Sequence, residues 1–321
     1  MLDDKFVLPE IGILGQITVL YARSNTGKTL ILLKLITEAA TKGDLRDLQV
    51  LYINADDTYK GQIEKAKICK EFDIQALVPN QSGFKNENLL RDIKKITEAK
   101  LARNVVLVVD TLKKYTDLMD KKLTSQFTAL AREFVQMGGT LILTAHTNKH
   151  ERDGEPIPGG TSDLLDDADC AYTLQEIGVE GDVHTVEFKQ KKSRGDVAEK
   201  VLYQYDKAIG QGYVAMFNSV TKVDGAKSDS IKLRSEAINS LTENYELIKV
   251  IATVIMKGNG KLPKGDVVKE TRKISGESMH KVRRVIQLHE GDNYNDHYRW
   301  ALKVEGGRHK YQLLPGTLKH E

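Results

Sequence analysis

Ala22-Arg23-Ser24-Asn25-Thr26-Gly27-Lys28-Thr29 is the run of residue types with the most definite chemistry in this chain. It fits the phosphate-binding pattern Gly-x-x-x-x-Gly-Lys-Thr, except that Ala22 stands at the first Gly. In such a loop, backbone N–H groups wrap the phosphates of a nucleotide and Lys28 reaches the β- and γ-phosphates. The Thr29 hydroxyl ligates Mg²⁺. This chemistry requires a strand before the loop and a helix after it. Ile17-Thr18-Val19-Leu20-Tyr21 is β-branched and apolar, which predicts a buried strand. Leu30 to Ala40 is apolar nearly all round and predicts a buried helix, whose N-terminus adds partial positive charge beside the phosphates. Residues 22–29 are therefore expected to bind ATP with Mg²⁺.

Polar groups end two further buried strands. The run Asn104-Val105-Val106-Leu107-Val108-Val109-Asp110 predicts a strand covered on both faces with a carboxylate at its carboxyl end, where open parallel sheets bind ligands. Asp110 is expected to hold the water shell of Mg²⁺. Thr140 to Ala145 is another buried strand, and His146 follows it as a candidate sensing or relay group beside the γ-phosphate. Between these lies Gln49 to Ile53, a strand followed by Asn54-Ala55-Asp56-Asp57.

Amphipathic helices are expected over 58–70, 86–102 and 123–137, and a short strand over 76–78. Residues 150–160 are charged and rich in Gly and Pro, and predict a loop. Strands over 169–174, 185–189, 201–205 and 212–217 are expected to extend the sheet in antiparallel fashion, with Lys189 to Gly195 as a basic turn. The expected fold is α/β: a core with a mostly parallel sheet and an antiparallel extension over residues 1–222, and a linker over 223–232. Residues 233–321 would form a small winged helix-turn-helix domain. In it a long helix spans 231–256 and Pro263 starts a second, while Ser275 caps a third over 276–289. A hairpin then turns at Glu305-Gly306-Gly307-Arg308.

The whole chain of 321 residues carries 48 Lys+Arg against 45 Asp+Glu, which is close to neutral. From Ser230 onward there are 17 basic and 11 acidic residues, leaving 31 and 34 for the rest, so a mildly acidic front carries a basic tail. Cys69 and Cys170 lack metal-ligand spacing and are expected to be buried thiols of a reducing compartment. Neither a signal peptide nor an apolar run long enough to span a bilayer is visible, so a cytoplasmic protein without membrane contact is expected.

Over residues 10–220 the ordered set of phosphate loop, Asn-Ala-Asp-Asp, Val-Val-Leu-Val-Val-Asp, Thr-Ala-His-Thr-Asn-Lys and Lys-Lys-Ser-Arg-Gly resembles the RecA-type P-loop ATPases of the RepA, DnaB and KaiC branch. The resemblance implies that Asp56 stands where that family carries a glutamate general base. As a shorter carboxylate, Asp56 would reach the attacking water only with a shifted backbone or a second water. It further implies that His146 and Lys149 form the His-x-x-Lys of the RepA type. Lys192 and Arg194 would be a finger pair reaching the neighbouring subunit's γ-phosphate, in a homo-oligomer expected to be a hexameric ring. With the phosphate loop so near the first residue of this sequence, the compact RepA type, without the large N-terminal domain of the DnaB type, is the expected form.

The resulting expectation is an ATP-driven DNA motor, a replicative-type hexameric helicase of a plasmid, phage or similar mobile element. Single-stranded DNA would pass through the core, contacting loops around Gly159-Gly160-Thr161-Ser162. The tail is expected either to bind DNA, with a preference for duplex, through Lys281 and Arg284 on its third helix and Arg308 and Lys310 at its hairpin, or to be a small helical domain with a solvated surface used for subunit contacts. Two alternatives compete: a recombination or repair ATPase that assembles on single strands without unwinding, and a nucleotide-gated DNA-binding regulator.

Overall fold

The computed structural model describes residues 5–54, 56–79, 84–152, 154–295, 297–305 and 307–317. The chain divides into two compact units, Met1–Gly225 and Ala226–Glu321.

The first unit opens with a small ribbon, β1 (Phe6–Leu8) and β2 (Gly12–Ile13). Then β3 (Ile17–Ala22) leads through the phosphate loop into α1 (Lys28–Lys42), which stops at Gly43 in a left-handed conformation. Next come β4 (Gln49–Asn54), α2 (Tyr59–Glu71), β5 (Gln75–Leu77), α3 (Leu89–Glu98), β6 (Val105–Asp110) and α4 (Lys121–Gln136). The Thr58 and Asp120 side chains cap α2 and α4 by accepting backbone N–H groups. The unit continues with β7 (Thr140–Arg152), β8 (Glu155–Pro158), α5 (Ser162–Asp167), β9 (Cys170–Glu180), β10 (Val183–Lys192), β11 (Lys200–Asp206), α6 (Tyr213–Ser219) and β12 (Thr221–Val223).

One sheet carries the order β12-β11-β10-β9-β3-β7-β6-β4-β5, with β8 paired to β7. Strands β5, β4, β6, β7, β3 and β9 run parallel, and β10, β11 and β12 continue antiparallel. Side chains alternate across this sheet as the pleat demands. Ile17, Val19 and Tyr21 of β3 join α3 and α4 in one core, whereas Leu20 and Ala22 join α1 on the other face. Helices thus cover both faces, and the carboxyl ends of β3, β4 and β6 share one rim.

Three expectations for this unit change. Residues 150–160 are not a loop: β7 runs on to Arg152 and pairs with β8, tolerating Pro156 and Pro158 because β8 is an edge strand. The strand beginning at Cys170 pairs parallel with β3, so the antiparallel extension starts one strand later, at β10. The expected strand over 212–217 is α6. Tyr213, Met216 and Phe217 are one helical turn apart and pack against the core beside α1. A short apolar run satisfies both periods, and the partner surface decides between them. Cys69 and Cys170 are buried free thiols.

In the second unit, α7 (Ser228–Glu243) and α8 (Tyr245–Lys257) replace the single long helix expected. The break is at Asn244, whose side chain turns back onto Ser240 Oγ at 3.0 Å. Residues 228–230, expected in the linker, open α7. Pro263 precedes α9 (Lys264–Ser275), and Ser278 rather than Ser275 caps α10 (Met279–Leu288). The strands β13 (Trp300–Glu305) and β14 (Arg308–Leu313) close the unit, and Gly306 of the expected turn lies outside the described residues. Trp300 is fully buried and its indole donates to the Ile286 carbonyl at 2.9 Å, tying the hairpin to α10.

Candidate nucleotide site

The loop after β3 turns into α1 with Asn25 and Gly27 in the left-handed region, at φ 65° and 82°. Gly27 is required twice over. Its backbone favours glycine, and a Cβ there would lie 2.6 Å from the Tyr205 ring. Arg23 anchors the outer part of the loop to the β7 hairpin, donating to the Lys149 carbonyl at 3.0 Å and pairing with Glu151 at 3.2 Å.

Behind the loop, Lys28 is 9% exposed and Asp110 3%. Lys28 Nζ lies 3.2 Å from Asp110 Oδ1 and donates to Thr144 Oγ1 at 2.7 Å, and the Thr144 hydroxyl donates to the same carboxylate at 2.6 Å. Thr29 Oγ1 donates to Asp110 Oδ2 at 2.6 Å, and the Tyr52 hydroxyl approaches that oxygen at 3.2 Å. Burial pushes the Asp110 carboxyl up, but the Lys28 charge and the hydroxyls of Thr144 and Thr29 outweigh it and hold the group below the usual carboxylate range. Asp110 is therefore an ionised hard oxygen donor beside the Thr29 hydroxyl. Among the described residues no cluster of three or more His, Cys, Asp or Glu could hold a metal by itself. One carboxylate and one hydroxyl suit Mg²⁺, which completes its shell with phosphate oxygens and water. When bound there, the ion would neutralise phosphate charge. Thr29 and Asp110 would hold it, and Lys28 is placed to exchange its carboxylate for a phosphate.

A cavity of about 340 Å³ opens over the loop, and Asp56, Asp110 and His146 line it. Asp56 is engaged elsewhere as well: its carboxylate pairs with Lys114 at 2.9 Å and Lys113 at 3.2 Å. The Lys114 hydrogen bond, opposed by partial burial and helped by Lys113, holds its pKa below the ordinary value, which weakens it as a proton acceptor. Ala55 beside it lies outside the described residues. His146 stands level with Ala22 on the neighbouring strand. Burial, then the Lys113 and Lys28 charges, pushes its imidazole below the ordinary value, so it is neutral at pH 7. Its Nε2 and the Tyr213 hydroxyl are both buried without a protein partner, and both residues line this cavity. Two unsatisfied polar atoms beside the phosphate loop fit a polar ligand.

Lys192 and Arg194 are not part of this cluster. Lys192 pairs in register with Ala171, at the start of β9, and Arg194 reaches Asp169 at 3.2 Å. Asp169 in turn accepts the Ile17 N–H at 2.9 Å, at the beginning of β3. The phosphate loop leaves the other end of that strand, five residues or about 16 Å away. Lys192 Nζ donates to the carbonyls of Leu165, at 3.1 Å, and Asp166. The loop at Gly159 lies against the rim, where its N–H donates to the His146 carbonyl at 3.0 Å.

In the second unit the expected nucleic-acid residues do not form one free basic face. Lys281 pairs with Glu277 at 2.6 Å, and Arg284 holds Glu236 through Nε at 2.8 Å and through its terminal nitrogen. Arg308 is exposed at the start of β14, and Lys310 is half-buried on the same strand.

Residues 7–152 match the AAA domain family. This segment is a P-loop NTPase-like domain, and the match points to a nucleotide-dependent ATPase. It runs from β1 to the end of β7. It therefore includes the phosphate loop, Asp56, Asp110, Thr144 and His146, and stops before Lys192, Arg194 and the second unit. A comparison with curated proteins found no match.

Several residues of the AAA-domain segment and its surroundings escape sequence reasoning. Thr144 and Tyr52 bind Asp110 from neighbouring strands. The one signal was a polar group inside an otherwise apolar strand. Tyr205, Lys207 and Tyr213 line the nucleotide cavity from β11 and α6, far along the chain and without a motif. Asp169 is bound by Arg132 as well as Arg194, and only its place at a strand start marked it.

Proposed function

We propose that this chain is an ATP-driven DNA motor of the replicative hexameric helicase kind, built on a RecA-type core of the RepA, DnaB and KaiC branch and closest to the compact RepA type. One observation carries the reading. The phosphate loop and the Lys192–Arg194 pair stand at opposite ends of β3 and its neighbours. A finger so placed cannot serve its own subunit's nucleotide, so hydrolysis would be completed between subunits of a ring. Lys28 binds the β- and γ-phosphates, Thr29 and Asp110 hold Mg²⁺, Asp56 orients the attacking water, and His146 senses the γ-phosphate. Arg194, with Lys192, stabilises the charge that develops at the neighbour's phosphate. The second unit is a winged helix-turn-helix, supported by the succession α8, Pro263, α9, α10, β13 and β14 and by the Pro263–Lys310 bridge beside the hairpin. It binds DNA. The protein works in the cytoplasm, and among the described residues no helix is long and apolar enough to cross a membrane.

The test is ATP hydrolysis with and without single-stranded DNA, combined with particle mass and strand displacement on a forked duplex. Stimulated hydrolysis, a ring-sized particle and displacement with one polarity are expected. Stimulation without displacement would replace this reading with a recombination or repair ATPase. A footprint on one duplex sequence, with no stimulation by single strands, would replace it with a nucleotide-gated regulator.

A further inference from the structure

Tyr213 opens α6, and among the described residues no group hydrogen-bonds its hydroxyl, although that oxygen is enclosed. The residue as a whole is half-buried, so its exposed part is not the hydroxyl. Burial, then the Asp110 and Asp57 charges, raises the phenol above its ordinary value, so the group keeps its proton and is a donor. Burying a hydroxyl without a partner costs its hydration, and a phenylalanine would fill the same space without that cost.

The neighbouring acceptors are already taken. Asp110 accepts from Lys28 and Thr144 on Oδ1 and from Thr29 and Tyr52 on Oδ2. Two donors on each oxygen fill a carboxylate. Asp57 is held by Lys65 and accepts the Thr58 N–H at 2.7 Å. Lys65 is itself buried, and its Nζ stands 4.3 Å from the centre of the Tyr213 ring. This cation–π contact fixes the ring and sets a positive charge beside it. What remains open to the hydroxyl is the cavity over the phosphate loop, which Tyr213 and Lys65 line together with Lys28 and Thr29.

We propose that Tyr213 is a nucleotide-binding residue whose hydroxyl donates to a phosphate oxygen of the bound nucleotide. The inference rests on the reading of this cavity as the nucleotide site, and adds to it a contact from outside the AAA-domain segment. Asp110 is the charge that acts on Tyr213 most strongly, which sets the residue at the phosphate end of the cavity and not at a base. A hydrogen bond to an anionic oxygen is roughly twice as strong as one between neutral groups, so a phosphate offsets the buried donor best. The ring is held before the ligand arrives, and little ordering is lost on binding. Because α6 packs against α1 and α2, the same bond would tie all three helices to the nucleotide.

The experiment compares full-length Tyr213→Phe with the parent. Calorimetric titrations use ATP and tripolyphosphate, each with and without Mg²⁺, and the nucleotide-free proteins are melted. The variant keeps the ring and its contact with Lys65. Its affinity for both ligands is expected to fall roughly ten- to hundredfold, the range for a hydrogen bond to a charged group. Without ligand it should melt at or above the parent, because only an unpartnered hydroxyl is lost. Unchanged affinity for both ligands would overturn the proposal. So would a loss for ATP alone, which assigns the hydroxyl to the base or ribose, or a loss confined to Mg²⁺, which assigns it to a water on the ion. A lower melting temperature without ligand would reveal a partner within the protein and overturn it as well. If the parent binds neither ligand, the nucleotide reading of the cavity fails, and the proposal with it.

Discussion

Lys114 Nζ lies 2.9 Å from the Asp56 carboxylate, the group expected to orient or deprotonate the attacking water. Lys113 holds the other oxygen at 3.2 Å, so the candidate base is neutralised by two cations. Both pairs are about two-fifths exposed and individually weak, which makes the arrangement easy to open. Lys113→Ala with Lys114→Ala should return the Asp56 pKa towards its ordinary value. The basal rate of ATP hydrolysis is expected to rise roughly two- to threefold, as a stronger base allows. A fall in rate would show that the lysines act on the nucleotide and not as a brake on Asp56.

The nucleotide-free protein should depend on Lys28 for stability as well as for phosphate binding. Lys28 and Asp110 form a buried pair with side chains 10% and 4% exposed. Removing one partner strands the other charge, so Lys28→Ala should abolish hydrolysis and also destabilise the first unit by about 3 kcal/mol. Adding Asp110→Asn removes the stranded charge and should recover part of that loss. Denaturant titrations of the two variants and the parent, without nucleotide, measure the coupling. Equal stability of Lys28→Ala and the double variant would mean the pair does not act as one unit.

Arg194 can be removed without damaging the fold. Asp169 keeps the Ile17 N–H and two contacts from Arg132, at 3.0 and 3.1 Å, when Arg194 is lost. Arg194→Ala is therefore expected to melt like the parent, to bind ATP, and to stop hydrolysis. Mixed with Lys28→Ala subunits it should regain activity, since an intact phosphate loop can receive Arg194 from its neighbour. With subunit exchange confirmed, a mixture no more active than its separate components would exclude action in trans.

The second unit should weaken in mild acid. His289 is fully buried. Its Nδ1 faces the His297 carbonyl at 2.7 Å, so this nitrogen carries the proton, and Nε2 accepts from the Ser240 hydroxyl at 3.1 Å. Burial lowers its pKa to about 4 from 6.5, against the raising effect of the His297 carbonyl. Because the folded value is depressed, the unfolded chain takes up the proton first. Stability is complete above pH 6.5, declines as pH falls, and levels off near pH 4, a total loss of about 3 kcal/mol. Trp300 is the single tryptophan of the chain and is buried in this unit, so its fluorescence reports the transition. His289→Leu should flatten the acid limb of that curve, and an unchanged limb would assign it to other groups.

The sequence by itself determined the parts of this protein whose signals are local. The phosphate loop with β3 and α1 on either side, the buried strand ending in Asp110, and the alternation of strands and helices follow from spacing within a few turns of chain. So does the change to a helical second unit. A hydrophobic period and a glycine at a left-handed position are properties of neighbours in sequence. Only the tertiary structure decided which polar groups share a site. Thr144 and Tyr52 reach Asp110 because β7 and β4 flank β6 in register, and no local pattern encodes lateral register. The same register sends Lys192 and Arg194 to the end of the sheet away from the phosphate loop. The short runs at 150–160 and 212–217 could take either of two conformations, and the edge of β7 and the core beside α1 selected the hairpin and the helix. Asp56 carries a carboxylate in the sequence. That it faces Lys113 and Lys114 follows only from the folding of the chain after β6 back over the end of β4, which makes charges distant in sequence into neighbours in space.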